Sequence, residues 1–280
     1  MKLISLISVF CLFSMLAMAQ QDSSKKATVT LAALYNSNVS YYGQATKEKL
    51  PYVLVNATLR LPVGLRFSVG SYKLLNYGSG ISETDIGVGF DHDFNEKLTI
   101  GTSYTRSFFP ENSPLLQASN ENNLNISSTY HWGWLQTSLD VDYAFGTKRD
   151  IFLSLNNSKE ISLGNVFNEK NSIYIEPAIE VIAGTRYFYE TYTIMKGRRD
   201  QGNGKWESPP GNSGNAGTTT VTSESQHFNL LSYNFKLPLG FSRANYIAEI
   251  SYQLSILGVK AEEELKKQQS FFGLAFYYQF

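Results

Sequence analysis

Apolar and polar residues alternate with a period of two through most of this 280-residue chain, and this pattern restricts the fold more than any other feature. Residues 85–94, 135–145 and 245–256 each divide into a face of large apolar side chains and a face of small or polar ones. Such alternation is typical of β-strands, whereas the apolar residues of an amphipathic helix recur about every 3.6 residues. No stretch of comparable length keeps the helical period, so the sequence predicts an all-β fold.

The first 19 residues differ from the rest. Lys2 is followed by an apolar segment over residues 3–18, which closes on the sequence Ala-Met-Ala at 17–19. A short positive start, an apolar centre and small residues before a cleavage site describe a secretory signal peptide. We expect residues 1–19 to be removed and residues 20–280 to form one exported domain. An uncleaved anchor helix is the alternative, but the apolar run is short for a bilayer span.

Composition excludes several classes of function. The single cysteine, Cys11, lies in the expected leader, so we predict a mature chain without disulfides or thiol chemistry. The 24 Lys+Arg residues balance 24 Asp+Glu residues, which gives no basic surface for nucleic acid. After residue 19, no apolar run reaches the roughly 18 residues that a membrane helix needs. A mature chain that spans a membrane must therefore do so with strands.

The alternating segments predict about twelve strands, an even number. Their approximate ranges are 27–36, 50–62, 63–75, 82–94, 96–109, 122–132, 134–145, 149–163, 171–194, 223–240, 244–257 and 268–280. Short turns alternate with longer polar links along the chain, and the short link at 146–148 is the exception. Membrane barrels have short periplasmic turns and longer extracellular loops. The alternation therefore favours a single closed antiparallel transmembrane β-barrel over a secreted β-sandwich or lectin-like domain.

Pro177 is the one residue that conflicts with its strand pattern. Proline has no N–H to donate to a β-ladder, so we expect a bulge or a local break there. The predicted strand at 171–194 is about twice the length needed to cross a bilayer, so part of it should project beyond the membrane.

Aromatic residues gather near the predicted strand ends. The group beside the short turns comprises Phe94, Trp132, Trp134, Phe241, Tyr278 and Phe280. The group toward the longer links comprises Tyr35, Tyr41, Tyr42, Tyr72, Tyr104, Phe108, Phe109, Phe145, Tyr187 and Tyr189. Two aromatic bands that flank an aliphatic middle match the two interfaces of a bilayer.

The last ten residues, FFGLAFYYQF, alternate large apolar side chains with smaller or more polar ones. The large series is Phe272, Leu274, Phe276, Tyr278 and Phe280. This series resembles the terminal signature of bacterial outer-membrane β-barrel proteins, which include the porins. In that family the last strand is recognised by the barrel-assembly machinery. The resemblance therefore implies an outer-membrane location, with the assembly machinery and outer-membrane lipid as partners, and it implies no particular activity.

If the apolar faces point to lipid, the charged residues on the opposite faces point into the lumen. These are Arg60, Arg66, Asp85, Asp91, Asp93, Asp140, Asp142, Glu176, Glu180, Arg186, Glu190, Lys236 and Glu249. Nine acids against four bases predict a cation-favouring interior. The alternative of equal weight is a ladder of ion pairs that stiffens the barrel. Small residues on the same faces, such as Gly87, Ser127 and Gly273, predict some free space.

The three histidines, His92, His131 and His227, are the candidates for catalysis or metal binding. Ser127 and His131 share a predicted face, but four residues of strand separate them by about 13 Å, too far for a hydrogen bond. No spacing predicts a zinc site or a phosphate-binding loop. We therefore predict no catalytic residue, cofactor or metal.

These features predict a passive, porin-like barrel for small polar solutes, with a preference for cations. A second hypothesis is a non-conducting structural or adhesin-like barrel that acts through its extracellular loops. The polar segment at 197–223, which contains Trp206, is such a loop. A third hypothesis is an outer-membrane lipid hydrolase.

Overall fold

Every regular element that the structure describes is a β-strand. The computed structural model describes residues 26–43, 45, 49–78, 80–110, 120–146, 149–166, 171–185, 228–258 and 266–280. The strands are β1 Thr28–Asn36, β2 Tyr52–Arg60, β3 Leu65–Leu74, β4 Glu83–Asp93, β5 Leu98–Phe108, β6 Asn122–His131, β7 Gln136–Phe145, β8 Arg149–Ser158, β9 Ile161–Asn165, β10 Asn171–Ile175, β11 Ala178–Gly184, β12 Asn229–Arg243, β13 Tyr246–Leu257 and β14 Gln268–Gln279. Within those ranges there is no helix long and apolar enough to cross a membrane.

The strands form one closed antiparallel barrel. From β1 to β8 each strand pairs with the next, and β14 pairs back onto β1. β11 closes the ring because it pairs with β8 on one side and with β12 on the other. β8 and β9 share one position in the wall, and β10 and β11 share the next, so the fourteen segments make twelve positions. The predicted closed barrel of about twelve strands is confirmed.

Two neighbouring strand positions are interrupted at the same level. β10 and β11 are separated at Glu176 and Pro177, where the sequence predicts a break. β8 and β9 are separated at Lys159 and Glu160, where the sequence predicts a continuous strand. The Lys159 N–H donates to the carbonyl oxygen of Pro177 at 3.2 Å. Pro177 cannot donate a ladder bond in return, so regular pairing lapses on both strands at this level, and the register is the same on either side, with Ser158 opposite Ala178 and Ile161 opposite Ile175.

Large apolar side chains cover the outer surface of the barrel. Val55, Ile126 and Ile250 are each more than half exposed in the isolated chain. Alternate residues of the same strands face the lumen, and the pairing register keeps the two sets apart from strand to strand. Lipid offers no hydrogen-bond partner to the backbone, so a closed barrel with an apolar outer face is the β-structure that it can accommodate.

The two rims of the barrel differ. Short turns at 61–64, 94–97, 132–135 and 244–245 define one end, which we call the short-turn rim. Its exposed rings include Trp132, Trp134 and Phe280, at 57%, 67% and 66% exposure. The longer links lie at the opposite end, the long-loop rim, where Tyr104 and Phe108 are exposed.

Four residues expected in the outer aromatic band lie elsewhere. Tyr41 and Tyr42 pack inside the barrel, and Tyr72 faces inward because it pairs with Leu54 on the inner face of β2. Phe109 packs against a buried cluster at the long-loop rim. The prediction was wrong for these four because position along a strand or link does not show which side a ring takes. The expected signal peptide, the segment 197–223, Tyr187, Tyr189 and the end of the predicted strand 171–194 lie outside the described residues.

Candidate pore interior

The inner wall is polar, and alternation places most of the predicted lumen charges on it. Those on the inner faces of the strands are Arg60, Arg66, Asp85, Asp91, Asp93, Asp140, Asp142, Glu180, Lys236 and Glu249. Glu176 lies in the interruption between β10 and β11, where its N–H donates to the carbonyl oxygen of Pro238 at 3.1 Å. Arg186 and Glu190 lie outside the described residues.

Two arginines and one aspartate form a charge cluster toward the short-turn rim. Arg60 Nη2 lies 2.9 Å from Asp91 Oδ2, and Arg66 Nε lies 3.7 Å from the same oxygen. Gly89 gives Arg66 its place against β4, because a Cβ at Gly89 would lie 2.5 Å from Arg66 Nε. Both inner-wall arginines that the structure describes therefore lie beside one carboxylate, that of Asp91.

A second charge cluster, on β8, β11 and β12, has an almost complete set of partners. Glu180 Oε2 accepts hydrogen bonds from Lys236 Nζ at 2.9 Å and from Asn234 Nδ2 at 2.8 Å. Ser154 Oγ donates to Glu180 Oε1 at 3.2 Å. Asn234 is only 1% exposed, and its Oδ1 atom has no hydrogen-bond partner. The buried amide therefore depends on Glu180 for the one side-chain hydrogen bond that it makes.

Five acids on the inner wall have no ion-pair partner among the described residues: Glu83, Asp85, Asp140, Asp142 and Glu249. Asp142 Oδ1 accepts hydrogen bonds from Asn123 Nδ2 at 3.2 Å and from Asn125 Nδ2 at 3.0 Å. Asp85 Oδ1 accepts one from Ser107 Oγ at 2.6 Å. Neutral donors hold these carboxylates without cancelling their charge, so the wall of β4 to β7 is negative.

The link between β1 and β2 folds into the lumen. The ring of Tyr42 stacks on the ring of Phe152, with centroids 3.8 Å apart and planes inclined by 13°. Tyr41 meets both rings edge-on, at 4.7 Å from Tyr42 and 5.5 Å from Phe152. The two tyrosines pack against a buried cluster of Ala144, Phe152, Ile182 and Leu231. We call the described residues of this link, 37–43, 45, 49 and 50, the inner loop.

Polar contacts also hold the inner loop against the wall. Ser232 Oγ donates to the carbonyl oxygen of Tyr42 at 2.8 Å, and the N–H of Ala45 donates to Gln269 Oε1 at 2.8 Å. At the base of the loop, the N–H of Val39 donates to the carbonyl oxygen of Leu50 at 2.9 Å. Leu50 and Leu74 form a buried cluster there with Val39, Tyr52, Tyr77 and Phe109. The loop is therefore anchored at its base and near its tip.

Asp150 and Phe152 are inner-wall residues that the sequence-based list omits. Asp150 is 1% exposed, accepts a hydrogen bond from Thr185 Oγ1, and accepts another from Asn120 Nδ2 at 3.2 Å. Both residues lie on the same face of β8 as Ser154. The period of two carried enough information to place them inward. Their role as the partner surface of the inner loop is a tertiary contact that no local pattern contains.

The histidines do not assemble a catalytic or metal-binding group with other described residues. His92 lies between Phe90 and Phe94, with ring centroids at 6.4 and 4.7 Å, near the short-turn rim. Ser127 pairs with Asp140 and His131 with Gln136, so they remain four residues apart along β6. Within the described ranges, no group of three or more histidine, cysteine, aspartate or glutamate side chains could hold a metal ion. His227 lies outside these ranges.

No protein-family profile and no curated protein sequence matches the chain. Among similar solved structures, the KdgM porin is 9% identical, with 90% of this chain and 99% of that chain covered and a TM-score of 0.49. The NanC porin is 8% identical, with 89% and 98% covered and a TM-score of 0.45. The COG4313 outer membrane channel from Pseudomonas putida F1 is 10% identical, with 93% and 98% covered and a TM-score of 0.45.

The architecture of the barrel shows in which environment the chain folds. A closed barrel of twelve strand positions, an apolar outer surface, a polar interior and two unequal rims are the features of a barrel that lies in an outer membrane. The chain is an outer-membrane β-barrel protein.

Proposed function

We propose that the protein is a passive, porin-like channel for small polar solutes, with a preference for cations. The imbalance of charge on the inner wall carries this proposal. The described inner-wall bases are each paired with an acid, whereas Asp85, Asp140, Asp142 and Glu249 have no cationic partner among the described residues. Carboxylates along a pore attract cations and repel anions.

Small side chains on the inner wall support an open path. Gly87, Ser138 and Gly273 lie on inner faces of β4, β7 and β14. A barrel of about eight strands is filled by its own side chains, whereas one of about sixteen strands encloses an aqueous channel. With twelve positions, the size of the inward side chains decides how much space remains.

Single-channel recording tests the proposal directly. Protein spanning residues 20–280, refolded and inserted into planar bilayers, should give discrete openings of uniform size. The reversal potential in a salt gradient should have the sign of a cation-selective pore. A complete lack of openings by the wild-type protein would reject the passive channel.

Removing the two charges on β7 should weaken the selectivity. The double variant Asp140→Asn, Asp142→Asn should lower the cation-to-anion permeability ratio by about five-fold per charge, because a unit charge at about 8 Å in water changes the energies of a cation and of an anion by about 0.5 kcal/mol each, with opposite signs. Glu121→Gln is the control, because Glu121 lies near the long-loop rim and is paired at 2.7 Å with Arg106, unlike Asp140 and Asp142. An unchanged reversal potential in the double variant would make Asp140 and Asp142 structural residues.

A non-conducting barrel is the second candidate function. The inner loop favours it, because Tyr41 and Tyr42 occupy part of the lumen and are anchored to its wall. In that case the long-loop rim would act as a binding or structural surface. Recordings from variants of Tyr41, Tyr42 and Gly43 would separate a closed barrel from a narrowed one.

We further propose that β14 is the segment which the barrel-assembly machinery recognises. Phe272, Leu274 and Phe276 are exposed on its outer face, and the N–H of Phe280 donates to the carbonyl oxygen of Val29 at 2.9 Å. Deleting Phe280 should reduce the folded barrel recovered from the outer membrane of a Gram-negative host, with little effect on refolding into detergent. Phe94→Ala, which removes another exposed ring at the same rim, is the control. Equal recovery of the deletion variant and the wild type would count against the proposal.

A further inference from the structure

We infer that the inner loop, through its described residues 37–43 and 45, forms the constriction of the lumen, held in place by Tyr41 and Tyr42 on the wall of β8, β11 and β12. This inference rests on the proposed channel function and names the residues that set the size of its narrowest part. Two observations support it. The loop contacts strands on the opposite side of the barrel, and the backbone at Tyr42 and Gly43 has a conformation that those contacts explain.

The contacts of Tyr41 and Tyr42 lie on the far side of the barrel from β1, the strand that supplies the loop. Following the strand order from β1 through β14, β13 is the second position, β12 the third and β8 the fifth of twelve. Neighbouring strands are about 4.8 Å apart, so the loop must cross open lumen to reach these positions. Ala144 of β7 belongs to the same buried cluster and lies six positions from β1, half-way round.

The tip of the loop is shaped to its contact surface. Tyr42 has φ of 50° and Gly43 has φ of 83°, so two consecutive residues are left-handed. A tyrosine rarely adopts this conformation unless its surroundings hold it there. A Cβ at Gly43 would lie 2.2 Å from Ser232 Oγ and 2.5 Å from Asn234 Oδ1. Position 43 therefore requires glycine for its conformation and for its close approach to β12.

The docked loop leaves one side of the lumen for passage. The contacts of Tyr41, Tyr42 and Ala45 lie on β7, β8, β11, β12 and β14, while the inner faces of β4, β5 and β6 lie across from them. Asp85, Asn123 and Asn125 line that side, and Asp142 lies beside them. A solute would thus pass between half-buried tyrosine rings and a wall of amides and carboxylates. This arrangement admits small hydrated cations and small neutral solutes and excludes anions and bulky molecules.

Two opposite perturbations test the inference. The double variant Tyr41→Ala, Tyr42→Ala removes the rings that pack on the wall, whereas Gly43→Val adds atoms that the wall cannot accept. Both should raise the single-channel conductance severalfold and increase the size of the largest polyethylene glycol that enters the pore. The matched control is Tyr104→Ala, Tyr252→Ala, which removes two rings that face outward beside Val88 and Ile250. It should leave conductance unchanged.

The outcomes distinguish this inference from the proposed function. If the wild type conducts and both loop variants conduct like it, the channel stands and the constriction is rejected. If the wild type is silent and the loop variants open, the loop closes the barrel, and the passive channel is rejected while the inference holds. If all variants are silent, both are rejected. Migration of each folded barrel in unheated SDS gels shows that the variants have folded, so a silent variant cannot be mistaken for a misfolded one.

Discussion

Replacing Gly64 with alanine should destabilise the barrel by about 3 kcal/mol, whereas the same change at Gly133 should cost about 1 kcal/mol. Both glycines lie in short turns and have φ of 92°, a conformation that side chains disfavour. They differ in their surroundings. A Cβ at Gly64 would lie 2.2 Å from the carbonyl oxygen of Asp91, and nothing lies within 4 Å of a Cβ at Gly133. The larger loss at Gly64 therefore measures a clash with backbone that cannot rotate away.

The Gly64 turn also supports the arginine cluster. The N–H of Asp91 donates to the carbonyl oxygen of Gly64 at 3.0 Å, and the N–H of Gly64 donates to that of Leu61 at 3.0 Å. A shifted turn would move the carboxylate on which Arg60 depends. Urea titrations of wild type, Gly64→Ala and Gly133→Ala in the same lipid vesicles give the three free energies of unfolding. Equal losses at the two glycines would show that the approach to Asp91 is unimportant.

Replacing Glu180 with alanine should cost about 2–4 kcal/mol, more than any change at its ion-pair partner Lys236. The variant removes the acceptor of Asn234, whose side-chain oxygen already lacks a partner, and so leaves a buried amide with no side-chain hydrogen bond. Lys236→Ala should cost about 1 kcal/mol or less, because that side chain is 36% exposed and water screens or replaces the lost pair. Asn234 and Ser154 would still bond to Glu180.

Glu180→Gln is the control that separates charge from hydrogen bonding. Its amide oxygen keeps an acceptor for Asn234, so we expect it to recover most of the stability lost in Glu180→Ala. Urea titrations of the three single variants provide the comparison. If Lys236→Ala is as damaging as Glu180→Ala, the ion pair dominates, and the assignment of the stability to the buried amide is wrong.

The strand pattern could be predicted closely because local sequence determines it. In β13 and β14, the period of two marks both the strands and the faces that meet lipid, and observed pairs such as Ile250 with Leu274 keep the large residues together. The break at Pro177 was predictable because proline lacks a donor. The accompanying break at Lys159 and Glu160 was not, because its cause lies on the neighbouring strand.

The candidate site could be predicted only in part. Alternation gives the list of inward charges, but it cannot say that Glu180 meets Lys236, which is 56 residues away, or that Asp142 meets two asparagines instead of a cation. Links have no period that would show where a side chain points. Tyr41 and Tyr42 therefore look like interface residues in the sequence, although they lie inside the barrel because of their contact with Phe152.

The interrupted strands also fix how deep the barrel sits in the bilayer. β9 is hydrogen-bonded to β10 only, because β7 begins at Gln136 opposite Ser158 and no described residue continues it alongside β9. A free strand edge has unpaired N–H and C=O groups, which hydrocarbon cannot satisfy. The hydrocarbon layer must therefore end near Lys159 and Glu160, and the hairpin of β9 and β10 must stand in headgroups or periplasmic water.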